Sequence, residues 1–317
     1  SRYCLMIRFC RIAASFVFIL TLGPAGPAAA QQERNARDSS TLSLDEIAID
    51  IINPVGDLSP VLNRFNYISY QGDLPGVGDQ SKFIYELTPV IPIGFSNGKK
   101  LIIRATLPIS FGTPAYVTGN RDYADWLARQ RADTITYEGS FVGGHGHLDD
   151  ITYDVAYGGV NENGLISMFG VAGVLPTSQD GSIERDQYLL GPELALGKIT
   201  DWGIIGAWAT HLFDVAESVP TDYSTNETSI RIFFAMGLGN GWQLISNPEI
   251  VYDWEAADNN KLMLPLGGGV SKTLRLGRIP MKMDLELYGY VETADVFGPE
   301  WLLTFSISPL MPNWFNR

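Results

Sequence analysis

MKMDLELYGYV, running from Met281 to Val291, decides the fold. Met281, Met283, Leu285, Leu287 and Val291 share one parity with Gly289; Lys282, Asp284, Glu286, Tyr288 and Tyr290 share the other. Successive side chains of a strand point to opposite faces, so this stretch forms a strand with one apolar and one polar face. Its length matches the roughly 9–11 residues that a tilted strand needs to cross a bilayer.

The same alternation recurs along the chain. Leu101, Ile103, Ala105, Leu107, Ile109 and Phe111 oppose Arg104, Thr106 and Ser110. Phe83, Tyr85, Leu87 and Ile91 oppose Glu86 and Thr88, and Ile151, Tyr153, Val155 and Tyr157 oppose Asp150, Thr152 and Asp154. Near the end, Leu303, Phe305 and Ile307 oppose Thr304, Ser306 and Ser308. A soluble sandwich also alternates, but its strands are usually shorter. About twelve strands are predicted, at residues 64–71, 82–94, 100–111, 148–158, 164–175, 187–198, 202–213, 228–237, 242–252, 261–274, 279–291 and 300–309.

The connections alternate in length. Tight ones fall at residues 96–99, 161–164, 199–201, 239–241 and 276–278, several with Asn-Gly turn chemistry. Long ones span residues 72–81, 112–147, 177–186, 214–227 and 291–299. Short turns on one end and long loops on the other are the outer-membrane arrangement, so both termini are expected on the periplasmic side. The fold class is therefore all-β, a transmembrane antiparallel up-and-down β-barrel of about twelve strands. Trp202 and Trp242 follow tight turns, whereas Tyr252, Trp254 and Trp301 flank long loops, as two aromatic girdles require.

The bulk composition fits. Of 317 residues, 45% are hydrophobic and only 18% charged, below the roughly 25% charged residues of soluble domains. From Met6 the chain reads as a leader: Arg8 and Arg11, an apolar core from Ile12 to Leu22, and Ala28-Ala29-Ala30 before Gln31. Residues 1–30 are read as a signal peptide cleaved near Ala30, with outer-membrane delivery in a Gram-negative bacterium as the destination. Removing Arg2, Arg8 and Arg11 from the 22 basic residues leaves 19 against 35 acidic, a net charge of −16. Both cysteines, Cys4 and Cys10, leave with the leader, which excludes an internal disulfide. No basic cluster remains for nucleic acid.

Residues 31–63 do not alternate and form an N-terminal periplasmic or plug segment, ahead of a barrel assigned to residues 64–317. Residues Asp45 to Ile52 suit a short helix or an edge segment, and Asn53-Pro54-Val55-Gly56-Asp57 follows. LPLGGGVSKTL, Leu264 to Leu274, looks at first like a phosphate loop. The spacing fails: counting back from Lys272, the two required glycine positions hold Leu266 and Ser271. On strand parity Gly267 and Gly269 face the lumen, where small residues permit a bend or leave room for a plug, and Lys272 points outward near a turn.

A family resemblance runs along most of this chain. It is carried by Asn53-Pro54-Val55-Gly56-Asp57-Leu58, Thr88-Pro89-Val90-Ile91-Pro92, Arg104 to Ile109, Leu175-Pro176-Thr177, Gly191-Pro192, Asn247-Pro248, Asp253 to Ala256, Pro265 to Lys272 and Gly298-Pro299-Glu300-Trp301. In these residues the chain resembles the outer-membrane transporter family named for the meta-pathway of phenol degradation, often mislabelled neuromedin U. The resemblance implies a barrel that passes small, hydrophobic or aromatic molecules, with no catalytic residues to carry over. Where the family shows Gly-Leu-Gly-Asp, this chain has Gly146-His147-Leu148-Asp149.

Parity places Glu86, Arg104, Asp154, Glu193, Arg231, Glu249, Lys282, Asp284 and Glu286 in the lumen, as a salt-bridge lattice or a cation-preferring lining. His145, His147 and Asp149 alternate on one face of an extended segment and are weak metal candidates, without a fourth ligand. No cofactor is expected. Residues Asp122 to Arg131 suit a short amphipathic lid helix. Phe315 lies close to the C-terminus but is not last, so the insertion machinery is expected to read the strand of Leu303, Phe305 and Ile307. The expected partners are outer-membrane lipids, a small-molecule permeant and that machinery. The function read from these features is passive or facilitated passage of small molecules rather than enzymatic turnover. The competing classes are a barrel enzyme acting on lipid, of phospholipase or deacylase type with His211 as its histidine, and a structural or adhesive surface protein.

Overall fold

Alternating faces leave a strand one way to satisfy its backbone in hydrocarbon, which is to close into a ring. The computed structural model describes residues 42–118, 121–122, 139–143, 146–178, 186–218, 221 and 223–311, and the ring is there. A helix, α1 (Leu44–Ile52), leads into β1 (Ser59–Gln71), β2 (Ser81–Gly94) and β3 (Lys100–Phe111). The chain then leaves the wall for a small antiparallel sheet of β4 (Pro114–Thr118), β5 (Arg121–Asp122) and β6 (Ser140–Gly143). It returns as β7 (His147–Leu148) and β8 (Ile151–Val160), which together form one stave against β3. The wall continues with β9 (Leu165–Leu175), β10 (Gln187–Thr200), β11 (Gly203–Glu217) and β12 (Asn226–Gly239). Next come β13 (Trp242–Ser246) and β14 (Glu249–Asp253), one stave interrupted at Asn247-Pro248, and then β15 (Leu262–Leu276), β16 (Ile279–Glu292) and β17 (Gly298–Met311).

Every wall pairing is antiparallel, and β1 pairs with β17 from Ser59↔Met311 to Gln71↔Gly298 to close a barrel of twelve staves. Each of the twelve segments read from alternation corresponds to a stave. Most boundaries shift by a few residues, and the largest difference is at β1, which begins at Ser59 rather than at residue 64. Pro60 masks the start, yet a proline is tolerated in the first residues of a strand.

Burial follows parity. Phe169 (63% exposed) and Leu287 (56%) stand on the outside, while Lys282 (2%) and Glu193 (4%) point inward. Trp202, Trp242 and Trp254 are exposed at the ends of the wall. Lys272 lies 5.0 Å from the Trp242 ring centroid and its Nζ donates to the Asn240 carbonyl at 2.6 Å. It thus reaches back from the apolar face to the turn, as a lysine stem at an interface does.

The predicted lid helix meets a different fold at its edge: Asp122 is in β5, paired with Val117. Residues 123–131 lie outside the described residues, as do the leader, His145 and Phe315. Tyr116 of β4, fully buried, packs with Leu74, Val77 and Val296 from the other long connections on that side, and Tyr70 stacks on Phe297 at 4.5 Å. The long-loop end therefore has an aromatic core of its own.

The glycine run has a specific cause. A Cβ on Gly269 would sit 1.8 Å from the Leu285 carbonyl oxygen, and one on Gly267 2.0 Å from that of Leu287. The β16 backbone occupies that space, so the glycines permit close approach of a neighbouring stave rather than room for a plug. Gly269→Val and Gly267→Val are expected to lower the folded, heat-modifiable fraction on unboiled gels, more at residue 269, and wild-type yields from both would contradict this packing.

Candidate functional site

The segment before the barrel is short, but its residues specify a compact knot. Ser43 starts α1 with a capping box: its Oγ accepts from Glu46 N at 3.2 Å and Glu46 Oε2 accepts from Ser43 N at 2.8 Å. After α1 the chain reverses at Asn53-Pro54-Val55-Gly56-Asp57, where Asn53 Oδ1 accepts from Val55 N at 3.1 Å. The reversal docks on Asp50, whose carboxylate accepts from Asp57 N at 2.9 Å and Leu58 N at 2.8 Å. Burial pushes the Asp50 carboxyl above the usual carboxylate range, against the pull of those two N–H groups. Gly56 is required here, since a Cβ would lie 2.4 Å from the Asp50 carbonyl oxygen.

This knot sits inside the tight-turn end of the barrel. Val55, Ile49 and Ile52 pack on the inward residues Ile102, Ala156, Ile166, Met168, Ala195, Ile204, Phe233, Ala235 and Ile245. Ile47 and Ile51 pack with Leu58 and Leu310. Polar ties come from around the rim. Gly241 N donates to Asp45 Oδ1 at 2.6 Å and Arg275 Nη2 to the Leu42 carbonyl at 2.7 Å. Lys100 Nζ reaches the Val55 carbonyl at 2.7 Å and Asp57 Oδ1 at 2.8 Å. Residues 42–58 of the segment thus contact inward-facing residues of the wall at that end.

Above the plug lies an interior cavity of about 440 Å³, and all nine lumen candidates line it. That volume is within the range of about 300–1,000 Å³ for small-molecule sites. Arg104 of β3 bridges Asp154 of β8 at 2.8 Å, donates to the Pro54 carbonyl at 3.3 Å and stacks over Trp208 of β11 at 4.0 Å. Trp208 Nε1 donates to Glu193 Oε2 at 2.9 Å. Arg231 of β12 pairs with Glu249 of β14 at 2.6 Å. Lys282 and Asp284 pair on β16, and Glu286 accepts from Tyr288 there and from Asn247 Nδ2 at 2.9 Å. Glu86 accepts from Arg64 at 3.3 Å and from Asn66 Nδ2 at 3.1 Å.

Arg64, Trp208 and Asn247 also line the cavity and were not in the candidate set. Arg64 changes the balance read from sequence, six acids against three bases, by adding a fourth base. Its parity was readable from the outward pair Phe65 and Tyr67. Opposite charges paired across neighbouring staves fix the lining, because an unpaired charge there loses its solvation without compensation.

A second cavity of about 330 Å³ lies between α1 and the β10–β11 turn, and Asp50 and Asn53 line both. Gln243 borders it with Oε1 buried and unpaired, and Ser271, its ladder partner on β15, has its hydroxyl likewise buried without a partner. The weaker candidates fall elsewhere. His147 Nε2 lies 2.7 Å from Asp149 Oδ1, and Asp149 also takes Lys82 Nζ at 3.1 Å and the Ser110 hydroxyl. That carboxylate is already used, and no cluster of metal-binding type occurs among the described residues. His211 shares the outward parity of Phe213; its Nδ1 contacts Thr228 Oγ1 at 2.8 Å, which also accepts from Trp254 Nε1 at 2.9 Å.

No family model matches the chain and no curated protein matches it. Solved structures do. The fold is similar to that of an outer-membrane channel from Pseudomonas putida F1, with 11% identity, 80% of this chain and 94% of that one covered, and a TM-score of 0.54. Weaker likeness extends to the β domain of the Bordetella autotransporter BrkA (12% identity, 80% and 100% covered, TM-score 0.41) and to a Pseudomonas aeruginosa FadL homologue (10%, 87% and 96%, 0.37). At these identities the likeness is one of fold: the chain is a barrel of outer-membrane type.

Asp50 fixes the chain reversal between α1 and β1. Asp50→Ala removes two hydrogen bonds to a charged acceptor, each worth about 1.5–3 kcal/mol. Openings of the reconstituted barrel in planar bilayers are expected to become roughly ten-fold or more frequent. An unchanged opening frequency would show that other contacts hold α1.

Proposed function

We propose that the protein is an outer-membrane channel that passes small molecules without covalent chemistry. The observation that carries this reading is a charge-lined interior cavity of about 440 Å³, shut at its tight-turn end by a short helix. A purely structural barrel has no need of a cavity on that scale or of a separately docked stopper. The plug is also built to leave. The capping box and the Asp50 turn are internal to it, so it moves as a unit. Its attachments to the wall are a few single bonds and a modest apolar face. Gln243 and Ser271 gain hydrogen-bond partners when water replaces the helix.

The fold of the Pseudomonas putida F1 protein, named an outer-membrane channel, supports this reading, as does the residue resemblance to the phenol-degradation transporters. Its finer content is that the permeant is small and hydrophobic or aromatic, and that the site of action is the outer membrane. Glu193 and Glu286 are held by Trp208, Asn247 and Tyr288 rather than by a base, which leaves the lining net acidic and favours cations over anions.

The test is reconstitution of the full barrel and of a variant lacking residues 42–57. The deletion is expected to raise conductance several-fold, with a cation-selective reversal potential, and Glu249→Gln, which leaves Arg231 unpaired, to shift that potential towards anions. Equal, negligible conductance in both barrels, or release of fatty acid from the surrounding phospholipid, would replace channel with structural protein or lipid hydrolase.

A further inference from the structure

The second cavity, of about 330 Å³, is a cleft with two sides. Helix α1 brings Asp45, Ile49 and Asp50 to it, and the wall brings Ile199, Asp201 and Gln243. The wall side is fixed by its own bonds. Thr200 Oγ1 accepts from Gly203 N at 3.2 Å and donates to the Gly203 carbonyl at 3.1 Å, and Gly237 N donates to the Trp202 carbonyl at 2.8 Å. None of these bonds involves α1, so this half of the cleft is formed before the helix docks.

The charge of the cleft differs from that of the interior cavity, where Arg64, Arg104, Arg231 and Lys282 each meet a carboxylate. Asp45, Glu46, Asp50 and Asp201 border the cleft, and among the described residues no lysine or arginine does. Three of these acids have tasks already. Asp45 accepts from Gly241 N, Glu46 closes the capping box, and Asp50 takes the N–H groups of Asp57 and Leu58. Those donors are neutral amides and leave the negative charge uncompensated. Asp201, exposed in the β10–β11 turn, has no ion pair or hydrogen bond among the described residues. A second signal is buried. Gln243 is 1% exposed, borders the cleft and holds its Oε1 without a hydrogen-bond partner. A buried amide oxygen in that state has lost its water and gained no donor in exchange.

We propose that this cleft binds a small organic ammonium ion with an apolar body, and that the bound ion fastens α1 to the wall. Carboxylates without bases select a cation over an anion. Leu42, Ile49 and Ile199 supply apolar surface for an organic body, whereas a bare metal ion would find no cluster of three ligands among the described residues. Gln243 Oε1 needs a donor, and an ammonium carries only donors. A ligand that touches helix and wall at once binds only while α1 is docked, and it therefore shifts the plug towards the docked state. It also gives Gln243 its partner with the helix in place, which removes one gain that release would bring. The fastening rests on the channel reading above; the site itself does not.

Calorimetry on the purified full barrel tests the site, with benzylamine as the probe and benzyl alcohol and benzoate as its neutral and anionic counterparts. Benzylamine is expected to bind at one site, at least ten-fold more tightly than either counterpart. Gln243→Leu is expected to weaken it roughly ten-fold and Asp201→Asn roughly five-fold, with folding checked by heat-modifiability. Asp201 lies in an exposed turn, so its variant decides alone if Gln243→Leu does not fold. Benzoate bound as tightly as benzylamine, or an affinity kept in Asp201→Asn and lost in Glu249→Gln, would overturn the site. In planar bilayers, benzylamine on the tight-turn side is expected to make openings of the wild-type barrel several-fold rarer and to leave the barrel lacking residues 42–57 unaffected. Equal block of both barrels would place the ion in the lumen and overturn the fastening. A barrel that binds benzylamine in this way but never conducts would overturn the channel and leave the cleft standing.

Discussion

Every backbone donor and acceptor inside a bilayer must find its partner in the protein, and this chain is organised around that requirement. Twelve staves paired in a ring leave no edge. The pairing of β1 with β17 completes the ring, reinforced inside by the Thr304 hydroxyl donating to Asn66 at 2.8 Å. Once the ring is closed, side-chain parity divides the residues into two solvents. Odd positions of β9 meet lipid and even ones the interior, and the assignment reverses or holds from stave to stave according to each turn.

The interior is where the ring's geometry becomes chemistry. The barrel encloses charged side chains, and they pair on neighbouring staves: Arg64 with Glu86, Arg104 with Asp154, Arg231 with Glu249. Trp208 is the common neighbour, beneath the Arg104 guanidinium and bonded to Glu193. These pairs set the width of the remaining space as firmly as the staves do, since moving one member strands the other.

The wall and the lining were legible in the sequence because both follow from a period of two. MKMDLELYGYV shows its inward Lys282, Asp284 and Glu286 without any structure, and all three line the cavity. What periodicity misses is whatever depends on a third dimension. Arg64 opened the strand as read and its parity was legible, but its partner Glu86 stands on a different strand. Asp45 to Ile52 read as a helix or an edge segment, but which surface it would meet was not encoded in its own pattern. Tyr288 was legible as inward-facing, yet the bond its hydroxyl accepts from Asn247 N depends on a residue far from its own strand in sequence. The GGG run itself was ambiguous in sequence, since a bend, a space and a close approach all call for the same residue.

The connection between α1 and the wall has a mechanical consequence. Helix α1 ends at Ile52 and β1 begins at Ser59. Residues 53–58, fully extended, reach at most about 20 Å. On the proposed channel reading, a helix that left its place would remain tethered beside it, at a high local concentration, and its return would be an intramolecular step needing no partner and no energy source.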